Sequence, residues 1–452
     1  MRRVELRGRR TRVRLASFGL ALLSALGGLA FMGFRRAEDY RRALEYSYQC
    51  ALGELAADIN GIDAALQKGM YSSSPSLLAA AAVRVSRQAA AARRALSVLP
   101  QSLEALNAAA LFLAQADDYG CALSQRLAAG DAPDEEIYQT LKGLSQTAGR
   151  LARELTALQG VVYEEHLPIA PPDEGERPSS QPALPAWDSL SPQGEAVFSR
   201  DIFPAADERP ADPDLAAFLA DKPDITRAEA AQKAAVLLGL AEGILTFDGE
   251  GIGVIPVYRF SGRLDGGEVA LTLSRRGGFP VALVSSRQSG EAKFSVEQAE
   301  TIAKNFLLAQ GFDSMKRQNV AVVGNTAVFD FAHRQGDVTC LSDRVQISVA
   351  LDTGKVVGLE ASDYLTNHQS RAILPPQWDQ ASARAVLSPR LTPQVHELAL
   401  LRPDDGGPES LCHKFTCAAP DGRRLIVYIN ADTGREEQIL LLIETETGTM
   451  YL

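Results

Sequence analysis

Val345-Gln346-Ile347-Ser348-Val349-Ala350-Leu351-Asp352-Thr353-Gly354 is the stretch on which the fold turns, because its pattern occurs again as Leu425-Ile426-Val427-Tyr428-Ile429-Asn430-Ala431-Asp432-Thr433-Gly434. In both, apolar residues stand nine, seven and five positions before the glycine. Val269, Leu271 and Leu273 keep the same offsets from Gly278, so the template occurs three times. Alternation places every second side chain on one face, which predicts a strand with one buried face. The closing glycine supplies the positive φ of a tight turn, and aspartate is a common residue at the start of one.

Working upstream from each strand, a helix start is legible. Thr226 with Glu229 and Ser295 with Gln298 have the spacing of capping boxes, in which each residue satisfies a backbone N–H of the other; Asp379 offers a cap without the reciprocal partner. Positions four, eight, eleven and twelve after the caps read Ala230, Ala234, Leu237 and Leu238, then Ala299, Ala303, Phe306 and Leu307. The third set, Ala383, Leu387, Arg390 and Leu391, departs most from the pattern. Between helix and template strand come further strand signals: Tyr258 with Phe260, Phe329 with Phe331, and Phe415 with Cys417. Each unit is therefore expected to be one helix laid on a small antiparallel sheet.

The segment before the repeats differs in kind. Residues 167–222 carry Pro168, Pro171, Pro172, Pro178, Pro182 and Pro185 among Glu, Asp and Ser, the composition of a semi-extended linker. Residues 37–166 are rich in Ala, Leu, Gln and Arg, interrupted by Pro75, Pro100 and Pro133. Leu44, Tyr48, Leu52, Leu55, Ile59, Ile62 and Leu66 advance by threes and fours, the stripe of an amphipathic helix. Ser76–Leu99, Leu103–Leu127 and Glu135–Val162 complete an expected antiparallel bundle of about four helices. Leu15 to Phe34 is twenty residues without a charge, preceded by seven arginines within residues 1–14. It is expected to be a single transmembrane helix with the N-terminus cytoplasmic. A cleaved signal peptide is disfavoured by the length of the apolar stretch and the lack of an A-x-A site.

Composition excludes several function classes. Forty-six percent hydrophobic residues do not make a polytopic transporter, and a net charge of −10 argues against a nucleic-acid partner. Five scattered cysteines, Cys50, Cys121, Cys340, Cys412 and Cys417, are not a disulfide framework. The two Asp-Thr-Gly motifs could supply the paired carboxylates of an aspartic protease, but Lys355 and Arg435 follow them where a small residue is required, and the repeat's turn already explains them. Cys412, His413 and Cys417 lack the second ligand pair of a structural zinc site; on a strand His413 and Cys417 share one face and Cys412 the other. No nucleophile elbow, phosphate loop or dinucleotide fingerprint appears. No catalytic, cofactor-binding or metal residue is therefore expected, and no cofactor or small-molecule substrate.

A helix followed by meander strands ending in Leu351-Asp352-Thr353-Gly354-Lys355 or Ala431-Asp432-Thr433-Gly434-Arg435 resembles the PepSY domain family. Three such units behind a helical region resemble the YpeB family of germination proteins of endospore-forming bacteria. Tyr40-Arg41-Arg42-Ala43-Leu44, Leu96-Ser97-Val98-Leu99-Pro100, Phe112-Leu113 with Asp118-Tyr119, and Tyr138 with Leu141 and Leu144 carry the likeness in the helical half. The expected fold class is thus α+β and multidomain: a basic tail (1–14), a transmembrane helix (15–34), a helical bundle (37–166), a Pro-rich linker (167–222), and PepSY-like repeats at 223–290, 291–365 and 372–452. The resemblance implies a non-enzymatic protein of the inner spore membrane, its bulk on the cortex side, that binds and stabilises a SleB-type cortex-lytic enzyme. The alternative is a general envelope peptidase inhibitor or chaperone acting through the PepSY units. A transmembrane sensor is disfavoured because about fourteen cytoplasmic residues leave no room for an output domain.

Overall fold

The computed structural model describes residues 3–99, 105–164, 217–241, 243–402, 407–445 and 448–451. The chain divides into two compact units, residues 1–66 with 79–196, and residues 67–78 with 197–452.

The first unit is helical, drawing on α1 (Arg3–Tyr71), α2 (Pro75–Val98), α3 (Ala105–Ala128) and α4 (Glu135–Glu164). Pro75 opens α2, where a missing N–H costs nothing and its fixed φ suits the helix. Leu52, Leu55, Ile59, Ile62 and Leu66 are buried along α1, as the stripe predicts, whereas Leu44 at its upstream end is exposed. Close helix approach is set by small residues: a Cβ on Gly120 of α3 would lie 2.7 Å from the Ala82 carbonyl of α2. Ser145 of α4 donates to Asp63 of α1 at 2.6 Å, satisfying a buried hydroxyl.

The single transmembrane helix at Leu15–Phe34 is corrected. Among the described residues no helix is long and apolar enough to cross a membrane. The backbone there is part of α1, and the side chains of residues 1–31, 33 and 34 lie outside the described set. Where α1 is described in full, Arg35, Arg36, Glu38, Asp39, Arg41, Arg42, Glu45 and Glu54 put a charge on nearly every turn, which suits a water-facing side and not a lipid-facing one. Most of the expected linker, from residue 165 to 216, also lies outside the described residues. Its last part is packed and not extended: α5 (Ala217–Ala220) buries Leu219 and sets Phe218 edge-on against Phe279 and Tyr364.

The second unit holds the three repeats. The first has α6 (Arg227–Leu238), β1 (Thr246–Gly251), β2 (Val257–Leu264), β3 (Gly267–Ser274) and β4 (Pro280–Ser285). The second has α7 (Val296–Ala309), β5 (Met315–Val323), β6 (Thr326–Gln335), β7 (Val338–Ala350), β8 (Val356–Glu360) and a short α8 (Ser362–Asn367). The third has α9 (Gln380–Val386), β9 (Thr392–Leu401), β10 (Ser410–Ala418), β11 (Arg424–Asn430), β12 (Glu436–Thr445) and β13 (Gly448–Tyr451). Both capping boxes form, and Asp379 accepts from the Ser382 N–H. α9 is the shortest of the three repeat helices because Pro389 disfavours helical backbone at Ser388.

Ala230 and Ala234, Ala299 and Ala303, and Ala383 are buried, so each helix meets its sheet through small side chains. The alternating triplets on β3, β7 and β11 lie on that same covered face, all at most 2% exposed. The three sheets are not separate, however. They join into one 13-stranded sheet in the order β1-β2-β3-β4-β8-β7-β6-β5-β13-β12-β11-β10-β9. β4 pairs antiparallel with β8, which merges the first and second repeats. β13 pairs with β5, and β9 returns to pair parallel with the start of β7, so the strands from β7 round to β9 close into a barrel. Closure explains a further departure from the sequence reading: β11 is buried on both faces, with Ile426 and Tyr428 turned into the barrel while Leu425, Val427 and Ile429 lie under α9.

Candidate functional site

The motifs that suggested chemistry are resolved first. Gly354 and Gly434 have φ of +68° and +69°, and Gly278 has +67°, so all three template glycines occupy the left-handed region. Each lies beneath the residue just before a helix cap: a Cβ would come within 2.6 Å of Ile225 at Gly278, 3.2 Å of Phe294 at Gly354, and 2.5 Å of the Trp378 ring at Gly434. The backbone N–H groups of Ile225, Phe294 and Trp378 donate to the carbonyls of Arg275, Leu351 and Ala431, each three residues before the glycine. The template turns, Asp-Thr-Gly in the second and third repeats and Arg-Gly-Gly in the first, are thus the fasteners of each helix to its sheet. Their aspartates are not paired with one another. Asp352 is buried in a bidentate pair with Arg287 and accepts from the Gly290 N–H, contacts that hold its carboxyl well below the usual range. Asp432 lies in a turn whose N–H groups, its own and that of Thr433, are held by the Asn430 side chain.

His413 and Cys417 do share one face of β10, and Cys412 points to the other. Register brings a residue the sequence reading did not pair with them: His396 of β9, whose Nε2 lies 2.9 Å from His413 Nδ1. His413 Nε2 donates to the Trp378 carbonyl at 2.8 Å, which leaves Nδ1 as the ring atom turned toward His396. Burial pushes the thiol of Cys340 up to about 11, of Cys412 to about 12 and of Cys417 to about 11, so all three are protonated and poor nucleophiles. Among the described residues no three His, Cys, Asp or Glu are grouped to hold a metal.

The densest polar cluster lies where the second and third repeats join. The pairing of β6 with β7 jumps from Ala332↔Arg344 to His333↔Cys340, so Leu341, Ser342 and Asp343 form a bulge. The bulge turns Asp343 inward, where it is fully buried. Arg371, on the segment between α8 and α9, grips it with Nη2–Oδ1 of 2.7 Å and Nη1–Oδ2 of 2.8 Å. The same guanidinium reaches Glu409, just before β10, with Nε–Oε2 of 2.7 Å and Nη2–Oε1 of 3.0 Å. His368 Nδ1 stands 2.7 Å from Asp343 Oδ2, stacked on Tyr364 and edge-on to His333. Burial alone would raise Asp343 and Glu409, but the donors around them outweigh it and both carboxyls sit below their ordinary values. His333 is pushed down, first by burial and then by His368.

One arginine on a connecting segment thereby ties a bulge of the second repeat to the first long hairpin of the third. Both carboxylates gripped by Arg371 are thereby engaged by a cation. The sequence reading missed the cluster; the only signal it could have used is a pair of histidines and charges crowded into 333–371 outside any strand alternation.

This is the build of a PepSY-type repeat protein behind a helical region. Residues 214–374 match the family described as YpeB sporulation, PepSY1 and PepSY2 domains, and residues 36–170 the family described as YpeB N-terminal. The chain belongs to the YpeB sporulation protein family. It is similar to the sporulation protein YpeB of Bacillus subtilis, 24% identical over 452 residues that cover 96% of this chain and 97% of that one. It is also similar to the sporulation protein YpeB of Halalkalibacterium halodurans, 32% identical over 176 residues, a match spanning 39% of this chain and 39% of that relative. The solved C-terminal domain of Bacillus megaterium YpeB aligns with 49% of this chain and 99% of its own, at 25% identity and a TM-score of 0.45.

Proposed function

We propose that this protein is a non-enzymatic germination factor that binds and stabilises a SleB-type cortex-lytic enzyme, so that cortex peptidoglycan can be hydrolysed when the spore germinates. The observation that carries the reading is family membership in both halves of the chain, in the order helical region then repeats. The chemistry of the second unit agrees with a binding role: the carboxylates of the joint are neutralised by Arg371 and the buried thiols are protonated.

The test is a strain lacking this chain. Its spores are expected to release little cortex fragment on germination and to contain a reduced level of the SleB-type enzyme. Reintroducing residues 1–222 alone then asks whether the repeats are required. Normal cortex release together with an unchanged enzyme level would reject the proposal and turn attention to inhibition of envelope peptidases.

A further inference from the structure

The barrel closed by β5, β6, β7 and β9–β13 has two unlike ends. One is filled by Ala399, Leu401, Cys412, Ile426 and Tyr428, with Leu440 and Leu442 packed against them. The other holds a cavity of about 250 Å³. Alternation explains the contrast: on β9 and β10 the inward positions that continue Ala399 and Cys412 are Glu397 and Lys414.

Lys414 is only 8% exposed, an ammonium held inside the barrel. A buried cation is retained only if it is matched by charge and hydrogen bonds. Its partners are incomplete. Nζ donates to Gln318 Oε1 at 3.0 Å, but Glu397 is 3.7 Å away and is taken at 2.5 Å by a second ammonium, that of Lys316. Two ammonium groups therefore share one carboxylate. Arg317 and Arg424 add positive charge to the lining; Arg317 pairs outward with Glu300. Asp330, next to the cavity, is engaged by Gln346 and by Asn319 Nδ2.

We propose that this end of the barrel is a binding site for a small carboxylic acid. The carboxylate sits against Lys414 and Lys316. The volume sets the size. Ligand pockets start at about 300 Å³, so this one takes a molecule of amino-acid or acylated amino-acid dimensions and not a nucleotide or a sugar chain. Burial lowers the proton affinity of Lys414, and an arriving carboxylate opposes that shift.

Calorimetric titration of the full chain with N-acetylglycine, and with the neutral N-acetylglycinamide as its uncharged match, tests the site. The acid is expected to bind saturably with a dissociation constant below about 1 mM, and the amide at least about tenfold more weakly. Lys414→Met is expected to weaken the acid by about tenfold or more without lowering the melting temperature. If that variant does not fold, Lys316→Met, at a half-exposed side chain, is read in its place. Equal binding of acid and amide, no saturable binding of the acid, or unchanged affinity in the folded variant would each overturn the proposal.

Discussion

Gly434 and Trp378 show at the scale of single residues how the repeat is fastened. A left-handed residue with a Cβ costs about 1–2 kcal/mol, and here the new atom would also lie 2.5 Å from the ring of Trp378, whose backbone N–H is bonded to the Ala431 carbonyl. Gly434→Ala is therefore expected to destabilise the second unit by about 2–4 kcal/mol, the strain and the overpacking adding. At Gly354 the nearest atom is the flexible Ile302 Cδ1 at 2.9 Å, which can turn aside. Gly354→Ala is expected to cost less, nearer the backbone term of about 1–2 kcal/mol. Urea midpoints of the two variants check the ranking, and a costlier change at 354 would mean that the ring contact is not what holds the third helix. These glycines were legible in the sequence because turn chemistry is local. The tryptophan and phenylalanine above them were not singled out, since nothing local says that a residue before a helix cap meets a turn more than fifty residues downstream.

At the scale of elements, the same division holds. The caps of α6 and α7 and the buried triplets of β3, β7 and β11 were readable because hydrophobic periods and capping pairs act within one element. The pairings β4–β8, β7–β9 and β13–β5 were not, because which edges meet leaves no period in either strand. Among the described residues β1 is left as an edge; it is short, bulged between Phe247 and Gly249 and carries Asp248 and Glu250, features that discourage further pairing. The connecting segment with Arg371 belongs to this scale too. Arg371→Met would leave Asp343, fully buried, without its main counter-charge, and loss of one partner of a buried pair costs about 3–5 kcal/mol. Arg371→Lys keeps the charge but cannot form the fork to two carboxylates, so an intermediate loss is expected. Denaturant melts of both variants decide it; a change below about 1 kcal/mol in the Met variant would show that the joint between repeats rests on its apolar contacts alone.

For the second unit as a whole, the shifted imidazoles and carboxylates act in one direction in acid. His333 and His396 are held below their ordinary values first by burial; the Asp313 carbonyl opposes the shift at His333 and His368 adds to it, while His413 adds to it at His396 against Glu397. The unfolded chain therefore takes up protons at these imidazoles that the folded chain declines, and stability falls as pH drops below about 6.5. Asp343, Glu397 and Glu409 are also held low, so the stability they supply is present above their unfolded values near about 4 and is lost as pH falls further. Acid is expected to weaken the unit in two successive steps. Melting temperatures from pH 8 to pH 3 would display both steps. The double substitution His333→Asn with His396→Asn is expected to remove the upper step and leave the lower, because the carboxylates keep Arg371, Lys316 and Lys414. A profile that is level between pH 7 and 5 in the unsubstituted protein would mean that neither imidazole gains a proton preference on unfolding, and the buried-histidine account of both clusters would have to be abandoned.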